Sequence, residues 1–168
     1  MIANLVIGLV VAAVMYYLTV YRERKRREAW ERKYPVYKPQ LQSGVWQTRI
    51  ANIKYQCNRD DIGAVIFAVK AEENNVYNAD SMTILRDEGK VLGYIGKREA
   101  QKFNRWSGRQ TCSGVGMVLY DSETNKLWGD IIVFTPDTAD STIEAEISRY
   151  MQWVTTTYGT AFIPERYR

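Results

Sequence analysis

The spacing of apolar residues changes character along the chain. From Ile2 to Tyr21 (IANLVIGLVVAAVMYYLTVY) the run carries no charge, and only Asn4 and Thr19 are clearly polar. About 20 apolar residues in a helix span a hydrocarbon core of ~30 Å, so residues 2–21 are expected to form a transmembrane helix. Tyr16, Tyr17 and Tyr21 lie toward one end of it, where amphipathic rings favour a membrane interface. The next segment, RERKRREAWERK, holds good helix formers throughout and is expected to prolong the helix as a stalk. Tyr34-Pro35 and Lys38-Pro39 then break it into an extended linker, because proline removes a donor and restricts the residue before it.

From Gly44 onward, β-branched and aromatic runs alternate with turn signals. The pattern predicts strands over Val45 to Tyr55, Ile62 to Lys70, Ser81 to Arg86 and Lys90 to Ile95. Polar AEENNVYNAD is a loop between the second and third, and Asp87-Glu88-Gly89 is a turn. Lys97 to Trp106 has helical composition, with Ala100, Phe103 and Trp106 on an apolar stripe and Gly108 as its stop. Gln110 to Tyr120 and Lys126 to Phe134 form a hairpin. A helix capped by Asp140 or Ser141 runs to Thr157 with Ile143, Ile147, Met151 and Val154 on one face. Four strands, a helix, two strands and a helix, all short, suggest a small barrel of SH3-like or OB-like type.

Charge sharpens the division of the chain. Arg22 to Lys33 holds seven basic residues (Arg22, Arg24, Lys25, Arg26, Arg27, Arg32, Lys33) and three acids, and the difference is the whole net charge of +4. Everything after it is neutral overall, so the isoelectric point says nothing about nucleic acid. A basic cluster that follows an apolar run stays in the cytoplasm, which implies an N-terminus outside and a cytoplasmic C-terminal domain on a single-pass anchor in the inner membrane. A cleaved signal peptide would carry its charge before the apolar run instead. Within the domain, Lys97, Arg98, Lys102, Arg105 and Arg109 are opposed only by Glu99, whereas Gln110 to Ser148 carries seven acids and one lysine. One basic and one acidic face are therefore expected.

The missing residues limit the chemistry. There is no histidine, so Ser–His and Cys–His nucleophiles cannot form. Cys57 and Cys112 make no Cys-x-x-Cys pair, so no metal site is expected, and both are expected to be free thiols. Asp60-Asp61 and Glu72-Glu73 read as solvated loop acids, and Gly114-Val115-Gly116 lacks the lysine and helix start of a phosphate loop. No enzymatic activity and no cofactor are expected.

The stretch Asn74-Asn75-Val76-Tyr77-Asn78-Ala79-Asp80-Ser81, the strand Met82 to Leu85, Gly93-Tyr94-Ile95, and a helix starting near Lys97 with Ala100 inside it follow one another at fixed spacing. In that arrangement the chain resembles the HIRAN domain family over about Ile53 to Phe134. The resemblance implies a modified OB- or SH3-type barrel and, as in the family's DNA-repair members, binding of single-stranded DNA at its 3′ end. It implies Lys54 as a phosphate contact and Tyr55 as a stacking ring on the first strand. Tyr77 would stack near the 3′ end, Asn78 would stand where the family has an aspartate, and Tyr94 and Lys97 would complete the phosphate side. Val76, Asn78, Asp80 and Gln56 depart from the family pattern, and all bear on end binding rather than on the fold.

The resulting expectation is a mostly β, α+β protein. It comprises a transmembrane helix (residues 2–21), a basic stalk and linker (22–43), a HIRAN-like β-barrel with one inserted helix (44–136), and a C-terminal helix and tail (137–168). Tyr16, Tyr17, Tyr21, Arg22, Arg24, Lys25, Arg26 and Arg27 are the expected contacts with the lipid bilayer. The main functional expectation is an accessory or interaction subunit of a larger membrane protein complex, docking through the acidic C-terminal helix and Tyr158, Phe162 and Tyr167. The alternative is a tethered module for single-stranded DNA.

Overall fold

The computed structural model describes residues 2–41, 43–72, 75, 79–86 and 89–167, the side chains of residues 2–7, 9 and 27 excepted. The chain divides into two compact units, Met1–Val36 and Tyr37–Arg168.

The first unit is a single helix, α1 (Ile2–Lys33). The stalk prolongs the helix as expected, and Arg24 and Lys25 pair with Glu28 at 3.1 and 3.7 Å on its exposed surface. The transmembrane assignment is corrected. Among the described residues no helix is long and apolar enough to cross a membrane. Arg22 and the charges after it continue on the same helix. The part of the expected span at residues 2–7 and 9 lies outside the described side chains. Tyr16, Tyr17, Tyr21, Arg22, Arg24, Lys25 and Arg26 are exposed on α1, and the side chain of Arg27 lies outside those described. With the span corrected, the bilayer loses its support as a partner.

The second unit is a closed antiparallel barrel. Its strands are β1 (Val45–Ala51), β2 (Gly63–Ala71), β3 (Met82–Arg86), β4 (Val91–Ile95), β5 (Cys112–Asp121) and β6 (Lys126–Phe134). Their order around the barrel is β1-β4-β3-β2-β5-β6. Closure depends on β1, whose first half pairs with β6 (Val45↔Phe134 to Arg49↔Asp130) and whose end pairs with β4 (Ile50↔Ile95, Ala51↔Tyr94). Inward positions alternate as a pleated strand requires and fill the interior with Val65, Phe67, Val69, Ile84, Leu92, Val118, Ile131 and Val133. Helix α3 (Lys97–Ser107) inserts Ala100 and Phe103 into the same core and ends at Gly108, in the left-handed conformation at φ 60°. Trp106 packs on Trp46 and Phe103 at 5.6 and 5.3 Å, so it serves the core margin.

Strand β1 is shorter than expected. Asn52 adopts a left-handed conformation (φ 59°), which asparagine tolerates better than most residues, and the chain turns into a short helix, α2 (Ile53–Gln56). Lys54 and Tyr55 therefore stand on a helical turn rather than on the first strand. Cys57 and Cys112 are free and buried, and burial pushes both thiols up to about 11.

Helix α4 (Asp140–Tyr158) buries Tyr150 and Val154 together with a carboxylate, Glu146. Glu146 accepts hydrogen bonds from the Tyr37 hydroxyl (2.7 Å), the Gln40 amide (3.2 Å) and Arg149 (2.5 Å). Burial alone would raise the Glu146 carboxyl, but these bonds outweigh it and hold the group below its ordinary value. Burial, and then Glu146, push the Tyr37 phenol up to about 12. The aromatic tail packs on its own domain. Phe162 meets Tyr158, Ile163 is buried, and the Tyr167 hydroxyl bonds the amide (3.1 Å) and carbonyl (3.4 Å) of Ile66 in β2. Those groups lie at the end of β2 that β3 does not cover, since that pairing starts at Phe67.

Candidate nucleic-acid interface

The end of β1, the end of β4 and the first turn of α3 meet at one rim of the barrel. The meeting requires a glycine. Gly93 has φ 155°, and a Cβ there would lie 2.4 Å from Ile50 Cγ2 and 2.5 Å from the Ala51 carbonyl. That close approach brings Tyr94 opposite Ala51 and sets Lys97 at the helix start two residues beyond Ile95.

Two clefts open on this rim. The first, about 370 Å³, is lined by Ala51, Asn52, Asn75, Ser81, Tyr94, Ile95 and Lys97. The second, about 560 Å³, is lined by Thr48, Arg49, Ile50, Ala51, Gly96, Lys97, Arg98 and Glu99. They share Ala51 and Lys97, so together they form one groove with an amide-and-ring half and a basic half.

The described residues Asn75, Ala79 and Asp80 at this rim are each anchored. Asn75 donates to the Glu72 carboxylate at 2.6 Å. Burial works to raise the Glu72 carboxyl, yet hydrogen bonding, that from Asn75 first, holds it below its ordinary value. Asn104, buried in α3, donates to the Asp80 carbonyl (3.0 Å) and carboxylate (3.2 Å), and Arg109 donates to the Ala79 carbonyl (2.9 Å). Asn104 was not singled out by the sequence reading. Its signal was a polar residue beside Phe103 on the inward face of an amphipathic helix.

The groove is electropositive because its cations are not spent. Lys97 and Arg98 are exposed and form no ion pair among the described residues. Arg49 leans on Asp130 of the neighbouring strand at 3.5 Å, and Glu99 accepts a hydrogen bond from Thr48. The first amides of α3 add partial positive charge to the same cleft.

Of the residues expected at the site, Tyr94 and Lys97 line the groove together. Lys54 and Tyr55 follow Asn52 on α2, with the ammonium 4.6 Å from the ring centroid and Tyr55 71% exposed. Tyr77 and Asn78 lie outside the described residues. Of the wider basic stretch, Lys102 and Arg105 are exposed on α3, while Arg109 is turned back onto the loop. Arg49 and Asn75 line the groove without having been expected there.

No protein-family model matches the chain, and no curated protein matches it. Among solved structures, the chain is similar to the crystal structure of the HIRAN domain of human HLTF. Identity is 13% over 65% of this chain and 88% of that one, with a TM-score of 0.37. It is similar to a protein from Lactobacillus plantarum at 15% identity over 53% and 91%, TM-score 0.38. It is also similar to the HLTF HIRAN domain in its DNA-bound conformation, solved by NMR, at 11% identity over 65% and 87%, TM-score 0.36.

Proposed function

We propose that the domain binds single-stranded DNA in the groove at the β1–β4–α3 rim. The observation that carries this reading is the sharing of Ala51 and Lys97 by two adjoining clefts. The sharing sets an uncompensated ammonium between a tyrosine and amide wall and a second pair of cations. A single strand offers a phosphate and a ring face at every step, and proteins that hold it combine a basic track with aromatic platforms. Tyr94 is the platform within the groove, Lys97 takes a phosphate, and the exposed Lys54–Tyr55 pair supplies a second ring and cation beyond Asn52. The side-chain amides of Asn52 and Asn75 both donate and accept, which suits base edges.

The test is fluorescence anisotropy of the full chain with labelled oligothymidine, with either a free or a phosphorylated 3′ end, over a salt series. Binding should weaken linearly in the logarithm of salt, as counterion release requires. Tyr94→Ala should cost the stacking of about one base, roughly 10-fold or more in affinity. Loss on 3′ phosphorylation would make the groove one that recognises a free strand end. No binding at low salt would overturn the reading.

A further inference from the structure

Resting on the reading above, we infer that the cleft of Thr48, Arg49, Lys97 and Arg98 is a second phosphate subsite. It carries the strand beyond the first nucleotides, and Asp130 competes with the strand for Arg49. The argument starts from the division of labour along the groove. The first cleft holds the ring and the amides, and the second holds no aromatic residue and all three lining cations, of which only Lys97 also lines the first. A cleft built that way has little to offer a base and much to offer a phosphate, because guanidinium groups bind phosphate oxygens through two parallel donors.

The guanidinium of Arg49 is held only loosely. Arg49 and Asp130 are cross-strand partners in the β1–β6 register, their contact is 3.5 Å, and the Arg49 side chain is 63% exposed. Asp130 is the more enclosed partner, with its side chain 21% exposed. Burial raises its carboxyl, and Arg49 offsets this only in part. Arg49 can therefore leave at modest cost, since a 3.5 Å contact made by a largely exposed guanidinium contributes little. Glu99, the one acid lining the cleft, is engaged by the Thr48 hydroxyl, while Arg98 has no ion partner among the described residues. An arriving phosphate would then exchange one carboxylate for its own charge at Arg49 and gain Arg98 outright.

The experiment compares three ligands on the full chain: a thymidine dinucleotide, a thymidine hexamer, and the dinucleotide flanked on both sides by abasic units. The wild type should bind the hexamer about tenfold more tightly than the dinucleotide, the worth of one added charge-assisted contact. The abasic-flanked ligand should keep that gain, because the second subsite takes phosphates and not bases. Arg49→Gln with Arg98→Gln should remove the gain, and should cost the dinucleotide far less than the hexamer. Both residues are exposed enough that folding should survive, and the thermal midpoint checks it. Asp130→Asn should strengthen hexamer binding about threefold and leave the dinucleotide as it was. In the Arg49→Gln background that gain should vanish. Equal affinity for dinucleotide and hexamer would overturn the subsite while leaving the first cleft standing, as would a gain lost on the abasic ligand. An unchanged or weakened hexamer affinity in Asp130→Asn would overturn the competition. Failure of every ligand to bind would overturn the proposed function itself.

Discussion

The groove and the pocket around Asp61 use the same kinds of side chain to opposite ends. The Asp61 side chain is 2% exposed and receives Lys90 on both carboxylate oxygens at 2.6 Å, Arg86 at 3.0 Å and the Asn58 amide at 2.9 Å. Every bond pulls its carboxyl down against the upward push of burial, and the group ends below its ordinary value. The cluster is closed, with each charge answered locally. At the groove, Lys97 and Arg98 face solvent without an acid, and Arg49 is answered only loosely. A buried charge must be paired or the fold suffers, whereas an unpaired surface cation costs the fold nothing and keeps a local potential. The difference separates charges that hold the barrel together from charges available to a ligand, and mutation should tell the two apart.

The largest effect should come from opening the closed cluster. Asp61→Ala leaves Arg86 and Lys90 without their carboxylate and should cost about 4 kcal/mol, read from urea unfolding. Glu146→Ala should cost somewhat less, about 3 kcal/mol, because Arg149 is 36% exposed and can turn to water. Both carboxyls are held below their ordinary values. The native state therefore binds fewer protons than the unfolded chain as pH falls through that range. Their stabilisation should be complete above about pH 4 and lost below it. Glu146→Gln should flatten the acid limb of the stability profile, and Arg98→Gln should leave it alone. An acid limb of equal steepness in Glu146→Gln would remove Glu146 from the account.

The same contrast explains what the sequence could reveal. Strand β6 matches its expected span, and β2, β3 and β4 start one residue later than expected, because β-branched and aromatic runs bounded by turn signals mark each segment. Strand β5 starts two residues late because Gln110 is still closing the end of α3, its amide bonded to the Ser107 carbonyl. Strand β1 was overrun because Ile53 and Tyr55 carry on a strand-like composition, while the left-handed turn at Asn52 has no hydrophobic signature. The closed charge clusters were hidden for another reason. Asp61 meets Arg86 and Lys90 across 25 and 29 positions, and Glu146 meets Tyr37 across 109. An acid in a loop, or an acid on a helix that also carries solvated ones, looks the same whether or not a distant partner arrives. The one local hint was that Glu146, Tyr150 and Val154 share a face. The groove was half legible. Tyr94 and Lys97 sit in a recognisable stretch, while Arg49 enters only through barrel closure.

A smaller effect tests the seam at the tail. The Tyr167 hydroxyl answers both backbone groups of Ile66 where β3 no longer does. Tyr167→Phe keeps the ring and removes those bonds. It should cost about 1 kcal/mol and speed hydrogen exchange at the Ile66 amide, while amides in the centre of β5 change only with global stability. Unchanged exchange at Ile66 would mean that water replaces the hydroxyl without loss.

The smallest effect on the fold should accompany the largest on binding, and it separates the two regions most cleanly. Lys97 is exposed, opens α3 and makes no ion pair among the described residues, so Lys97→Gln removes no contact that folding requires. Its unfolding free energy should stay within about 0.5 kcal/mol of the wild type. Removing a cation from a helix start should even relieve a slight conflict with the helix dipole. If Lys97 takes a phosphate, the slope of binding against salt should fall by about one, because one fewer counterion is released. A variant that loses affinity at unchanged slope would have lost shape rather than charge. Lys97 would then belong with Asp61 as a structural residue, and the groove's potential would have to come from Arg49 and Arg98.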